Sequence, residues 1–492
     1  MSRNRLRRRV GASSGALLVA LLAWTGTAAG PAGATTPSGR LLGEGGSFAE
    51  PIVNQLLIDD NAGIAPLDAQ YFNANVDIGR QDVTTGDADF AVSEFPLTAD
   101  EVTTGKSNGR SFAYVPFAAS PVTVAPIIEC SAGKLCPDNL QLTVAQLAGI
   151  FTQGNGFAGG DISFWDSTSL NTIAAGGPLT TVATDSRNIK ALNLIDPSAS
   201  TEALMAAFEA DPAAKANWDT FLTFWHVVST APAETWPTQQ GVSGGDQVMA
   251  NDLVPLDTSR QPPVPLPFLD WGLGDVAPLP VSWLGAPRNI PTVAIENAAG
   301  KFVPPTVAAA SAALADATVD PATNLVTFKA TSADAASYNS YLMQVSYLVV
   351  PTSGLAPAKA TALASFIRFA LSTKGQADVV GLGAAPILPA TGSTAAETAL
   401  VKSGLAIADQ VAAEATTTTT TTSTSTTTTT TPTTTTSTTA APVVASNGSD
   451  PSTTPSLAYT GGAPWPIGIT GFGLVVSAGW IRRRLRRRAV TT

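Results

Sequence analysis

The stretch "GEGGSFAEPIVN" (43–54) sets three glycines and a serine immediately ahead of Glu50, Pro51 and the apolar run "IVNQLLID". Ser47 and Glu50 have the spacing of a capping box, which predicts a helix starting here with its first backbone N–H groups uncovered. A helix start of this kind has donors to offer, and the rest of the chain bears on what they would hold.

Both ends of the 492-residue chain read as addressing rather than fold. The basic "MSRNRLRRRV", the apolar "GALLVALLAW" and the small-residue "TGTAAGPAGATT" have the three-part layout of a secretory signal, with cleavage expected after Ala34. Residues 415–455 collapse to threonine and serine with no apolar period, which predicts an extended stalk reaching on the order of 100 Å. The apolar segment 463–481 is long enough to span a bilayer, and the arginine-rich tail 482–492 would stay on its cytoplasmic side.

Eleven of the 27 basic residues lie in the two terminal arginine clusters, leaving 16 against 37 acidic ones. A surface this negative repels nucleic acid in general, so none is expected as a partner, and any anion site has to be local. The two cysteines, in "IIECSAGKLCPDN", are too few for a structural zinc site; in an exported chain Cys130 and Cys136 are expected to close a short loop as a disulfide.

Between residues 40 and 413, β-rich runs ("FAYVPFAASPVTVAPII", "YLMQVSYLVVP") alternate with alanine-rich helical ones ("PPTVAAASAALADA", "APAKATALASFIRFAL"), the pattern of an α/β fold. The catalytic inventory is thin. His226, the one histidine, sits amid aromatics in "FLTFWHVVST" and reads as a core residue. Neither a GxSxG elbow, a Walker loop nor a dinucleotide fingerprint occurs, and "VVGLGAA" (379–385) reads as a turn. A binding module rather than an enzyme is therefore expected, with no cofactor and no metal. A second polar helix start, "IDPSASTEALMAAFEA" (195–210), offers Ser198, Ser200 and Thr201; such residues are ordinary caps in most helices and anion contacts in some.

Taken in order, these segments resemble one family, the phosphate-binding proteins that serve ABC transporters, in the two-lobed periplasmic-binding-protein (PBP) superfamily. "LLGEGGSFAEP", "DADFAVSEFPLT" (87–98), "LTVAQLAGIFTQG" with "ISFWDS" (142–167), "NIPTVAIENAAGKFVPPT" (289–306) and "FIRFALSTKGQADVVGLGAAPILP" (366–389) are similar to five of its blocks, in the same order over about 41–390. The resemblance implies a type II fold over 41–413, with lobe one about 41–120 plus 340–413 and lobe two about 121–339. It also implies a phosphate or similar oxyanion held between the lobes, with an ABC permease as a partner. By position Ser47 and Phe48 match the family's contact pair, Glu94 stands where the family has an aspartate, and Asp196, Ser198, Ser200 and Thr201 match its "DgSGTT" imperfectly. Two positions depart from the pattern: Leu194 occupies the place of an arginine and Val76 that of a ligand serine, with Arg187 as a candidate substitute cation. "LAYTG" (457–461), ahead of the apolar segment, resembles the sorting signal of Gram-positive cell-wall proteins. Leu457, Thr460 and Gly461 would then be read by a sortase that joins Thr460 to peptidoglycan, the other reading being a plain membrane anchor. The alternative to phosphate capture is a wall-anchored interaction or structural module whose phosphate site has degenerated.

Overall fold

The computed structural model describes residues 39–61, 68–136, 140–152, 162–170, 179, 182–227, 234–238, 241–388 and 395–421. The expected signal (1–34), the sorting motif (457–461), the apolar segment (463–481) and the basic tail (482–492) lie outside them. Among the described residues no helix is long and apolar enough to cross a membrane.

One eight-stranded sheet organises the domain. Its strands, numbered in chain order, are β1 (Leu41–Gly45), β2 (Ala69–Asn73), β3 (Phe90–Ser93), β4 (Phe112–Pro126), β5 (Lys190–Ala191), β6 (Asp275–Pro280), β7 (Met343–Pro351) and β8 (Ala385–Pro386). The order is β2-β1-β3-β7-β4-β6-β5, with β8 beside β4. β1 pairs in parallel with both β2 and β3, so the three carboxyl ends finish at one edge. Crossovers between parallel strands need a connection of a dozen or more residues, and helices supply it here. These are α1 (Glu50–Asn61) after β1 and α2 (Val76–Thr85) after β2.

β4 is the long element that ties the sheet together. Residues 112–121 carry β7 and residues 122–126 carry β6, both antiparallel. Prolines are unusual in a central strand because they cannot donate to the ladder. Here Pro116 sits beside a register shift in the β7 pairing, and Pro121 pairs with Met343 where the β7 ladder ends. The carbonyl of Phe117, in the shifted stretch, is taken by Gln376 Nε2 at 2.9 Å.

The remaining helices are α3 (Ala99–Ser107), α4 (Val144–Phe151), α5 (Ala199–Ala210), α6 (Pro212–Phe224), α7 (Gly245–Leu253), α8 (Val307–Ala315), α9 (Pro357–Ala370), α10 (Thr373–Gly381) and α11 (Ala395–Thr421). The four runs quoted above for their period became β4, β7, α8 and α9. In α1 the apolar residues Ile52, Val53, Leu56 and Leu57 are buried, a stripe repeating at four residues.

Three expectations are corrected. α11 runs on to Thr421, seven residues into the segment read as a stalk, because extending an existing alanine-rich helix avoids the cost of nucleating one. His226 is exposed, not packed: it has φ 55° in the turn that ends α6, and its N–H donates to the carbonyl of Thr223. Of its aromatic neighbours Phe221 is buried, Trp225 half-buried and Phe224 exposed, and the backbone reverses beneath His226; helix C-terminal turns of this kind use a left-handed residue. The capping box at the start of α1 is not formed: Glu50 accepts from Asn73 Nδ2, and the Ser47 hydroxyl is used elsewhere. Capping boxes do form at α3, from Thr98 and Glu101, and at α4, from Thr143 and Gln146. Cys130 and Cys136 form a disulfide, with Cα atoms 5.0 Å apart, in a small hairpin. The segment "VVGLGAA" is the end of α10 followed by a turn with Gly383 at φ 86°.

Candidate functional site

The carboxyl ends of parallel strands are where open α/β sheets place their ligands. Ser47 lies two residues beyond β1, α2 begins three residues beyond β2, and Glu94 directly follows β3. Close packing makes this edge tight. A methyl group on Gly79, in the first turn of α2, would lie 2.5 Å from Gly45 Cα, so two glycines let α2 rest against the strand that delivers Ser47.

A buried carboxylate stands at the centre. Asp246, at the start of α7 and only 1% exposed, accepts the Ser47 hydroxyl on Oδ2 at 2.7 Å and the Ser200 hydroxyl on Oδ1 at 2.9 Å. Its own backbone N–H donates to Ser47 Oγ at 2.7 Å. The starts of α1, α5 and α7, separated by up to 199 residues, are thereby joined through one side chain. Helix N-termini favour negative charge, and a buried charge is tolerated only with such partners. Sequence reading singled out Ser47 and Ser200 but not Asp246, whose context "SGGDQV" has an ordinary helix-start appearance.

The other expected residues divide. Ser198 is the N-cap of α5, its hydroxyl accepting from the Ser200 N–H at 3.1 Å. Thr201 is buried, and its hydroxyl has no hydrogen-bond partner among the described residues. The Phe48 ring is packed in the main core cluster, so only its backbone faces the loop; its carbonyl accepts from Ser282 Oγ at 3.4 Å. The N–H groups of Phe48 and Ala49 make no hydrogen bond to a described residue, and neither do those of Ala199 and Thr201. Asp196 accepts from Ser243 Oγ and the Gly244 N–H and shapes the approach to α7.

Glu94 is buried and accepts the Ser346 hydroxyl at 2.9 Å. Burial pushes its carboxyl up from 4.5 to about 8; the Asp246 charge adds to the rise, while the Ser346 hydrogen bond and Arg80 oppose it. Burial likewise pushes Asp246 up from 3.8 to about 6, against the hydrogen bonds from Ser47 and Ser200. Both carboxyls are thus easier to protonate than an exposed carboxylate, Glu94 more so than Asp246, and a protonated Glu94 can donate a hydrogen bond.

The two departures from the family pattern are filled by apolar packing. Leu194 is 0% exposed in a cluster with Met249, Leu253 and Leu279, and Val76 is 1% exposed. Arg187 does not converge on Asp246: it is half-exposed, bonds Asp166 at 2.7 Å and lies over the Phe164 ring. The buried cation near Glu94 is Arg80, on α2, which the sequence reading passed over. Among the described residues no group of three or more His, Cys, Asp or Glu side chains is arranged to hold a metal.

A family model described as a PBP superfamily domain matches residues 30–219. No curated protein matches the chain. Among solved structures the chain is similar to a high-affinity periplasmic phosphate-binding protein, PfluDING, bound with phosphate, at 16% identity over 75% of this chain and 93% of that one, TM-score 0.50. It is also similar to the phosphate binding protein of Stenotrophomonas maltophilia, at 15% identity over 75% and 93%, TM-score 0.48. For an ABC-type phosphate transport receptor from Vibrio cholerae the values are 13%, 71%, 100% and 0.36. The architecture is the α/β fold of the PBP superfamily.

The raised carboxyls set a pH dependence for the fold. A group whose pKa is higher in the folded than in the unfolded chain adds stability that is fully present below the unfolded value and is lost as pH climbs through the folded one. For Glu94 that window runs from 4.5 to about 8. The wild-type chain is expected to melt several degrees lower at pH 8.5 than at pH 5, and Glu94→Gln, neutral at every pH, to flatten that slope by on the order of 2 kcal/mol. Calorimetric melts across the range check this; an unchanged slope in the variant would refute it.

Proposed function

We propose that the domain is a solute-binding module, displayed outside the cell, that captures inorganic phosphate or a related tetrahedral oxyanion at the Ser47–Asp246–Ser200 cluster. The observation that carries the reading is the convergence of three helix starts, with uncovered N–H groups and buried hydroxyls, on one point beyond the sheet edge. Donors in that arrangement suit an oxyanion, because N–H groups and helix dipoles point at it together. The PBP fold and the phosphate carried by PfluDING support the ligand class. The division into lobes, about 41–120 with 340–413 and about 121–339, belongs to this proposal; the change of partner on β4 between Pro121 and Val122 supports it. Delivery to an ABC permease is the role proposed for uptake, and sensing is the other.

Asp246 sets the terms of capture. While ionised it holds both serine hydroxyls and repels an incoming anion; once protonated it releases them as donors. A carboxyl that is still ionised favours a proton-bearing anion, whose proton it can accept, over fully ionised sulfate, whereas in the neutral form it can donate to either. A second reading is supported by Leu194 and Val76, buried in apolar packing at two family contact positions, and by serines already spent on Asp246: a retained fold with a degenerate anion site. Titration calorimetry of the anion-stripped full chain with phosphate, arsenate and sulfate separates them. Capture predicts phosphate and arsenate binding, stronger at pH 5.5 than at pH 8, with Asp246→Asn raising phosphate affinity at pH 8 by about tenfold through loss of a like charge. Absence of heat with every anion at both pH values contradicts capture and leaves the second reading.

For surface display, the proposed route is sortase attachment through Thr460. Cell fractionation of Thr460→Ala is expected to move the protein from the wall to the membrane fraction; an unchanged wall fraction would contradict a sortase route.

A further inference from the structure

The Ser47–Asp246–Ser200 cluster has no cation among its own side chains, and this inference rests on reading it as an anion site. We propose that Arg80 supplies that cation from a different element: its Nη1 takes one oxygen of a bound tetrahedral oxyanion, and Glu101 and Glu234 are the positioning residues that aim it.

Arg80 is 4% exposed. Its Nε donates to Glu101 Oε1 at 3.2 Å, and its Nη2 donates to both carboxylate oxygens of Glu234, each at 3.2 Å. Nη1 is buried with no hydrogen-bond partner among the described residues. Leaving a buried charged donor unmade costs more than a typical hydrogen bond contributes, so an orphan on a guanidinium otherwise held at two positions marks a place where a partner belongs. The two other buried arginines among the described residues have found theirs: Arg110 donates to the carbonyls of Val83 and Ala88, and Arg288 to the Val254 carbonyl and Asn251 Oδ1.

The placement of Arg80 follows from the packing already described. It comes directly after Gly79, which abuts Gly45, two residues from Ser47. Glu234, which grips Nη2, uses its backbone carbonyl to accept the Ser198 N–H at 2.7 Å, so one residue joins Arg80 to the start of α5. The guanidinium also lies 5.7 Å from the centroid of the Phe95 ring, next to Glu94 in the chain. Arg80 thus stands among the segments that carry Ser47, Glu94 and Ser198.

The ion pairs have a further consequence. Two carboxylates face one guanidinium, so the arginine offers a directed donor without a net positive field. A singly charged, proton-bearing oxyanion fits such a site better than a dianion, because its charge is met by one aimed N–H instead of a diffuse attraction.

The test is calorimetry of the full-length protein with inorganic phosphate, comparing wild type with Arg80→Gln, Arg80→Lys and the triple variant Arg80→Gln/Glu101→Gln/Glu234→Gln. The triple variant leaves no orphaned carboxylate and is one unit more positive than wild type, so any general electrostatic effect would strengthen binding. The proposal expects Arg80→Gln and the triple variant each to bind phosphate about 10- to 100-fold more weakly, the loss of a charge-assisted hydrogen bond, with Arg80→Lys recovering part of it. Phosphate-free melts are expected to keep the triple variant folded; should it fail to fold, the step between wild type and Arg80→Lys decides, and equal affinity there overturns the proposal. Wild-type binding with undiminished affinity in a folded triple variant overturns the role of Arg80 alone. Absence of binding by wild type overturns the anion reading and this inference together.

Discussion

A single buried carboxylate governs how this domain is put together at the carboxyl ends of its parallel strands. Asp246 cannot sit dehydrated without partners, and the partners it has are hydroxyls from two other helix starts. Satisfying it forces α1, α5 and α7 to converge, because each contributes a donor from its first turn or from the loop ahead of it. The same bonds explain why the Ser47 hydroxyl does not cap its own helix: its oxygen accepts the Asp246 N–H while its proton goes to Asp246 Oδ2.

The sheet makes the convergence possible. Parallel β1, β2 and β3 deliver three chain segments to one edge, and β4 carries the sheet on from β7 to β6. Contacts across distant segments then hold the edge closed. Trp283 Nε1 donates to the Ser47 carbonyl at 2.9 Å, Gln344 Nε2 to Glu202 at 2.6 Å, and Arg80 bridges Glu101 and Glu234. These polar contacts are buried or partly buried, where a hydrogen bond is electrostatically stronger than in water.

Much of this was legible in the chain, and what was not has physical causes. The strands and helices with long apolar periods were readable because their pattern is local. Ser47, Glu94 and Ser200 stood out in the sequence because their segments resemble a known family block by block. Asp246 and Arg80 were not: an acidic residue in a first turn and an arginine inside a helix are common, and only the three-dimensional packing shows one holding two serines and the other with an orphaned nitrogen. His226 misled because its neighbours are aromatic, whereas its own backbone makes the turn that ends α6. The expected capping box failed for the same reason that Asp246 went unnoticed, since both depend on a contact spanning 199 residues.

The most direct test of the central claim is an anomalous difference map from crystals of the protein soaked in arsenate near pH 5.5, which locates the anion independently of any binding isotherm. The account predicts one strong arsenic peak beyond the carboxyl ends of β1 and β3, within hydrogen-bonding reach of the start of α5, the Ser47 loop and Arg80 Nη1. A structure with no arsenic at that edge, and with Ser47 and Ser200 still bonded to Asp246, would contradict it.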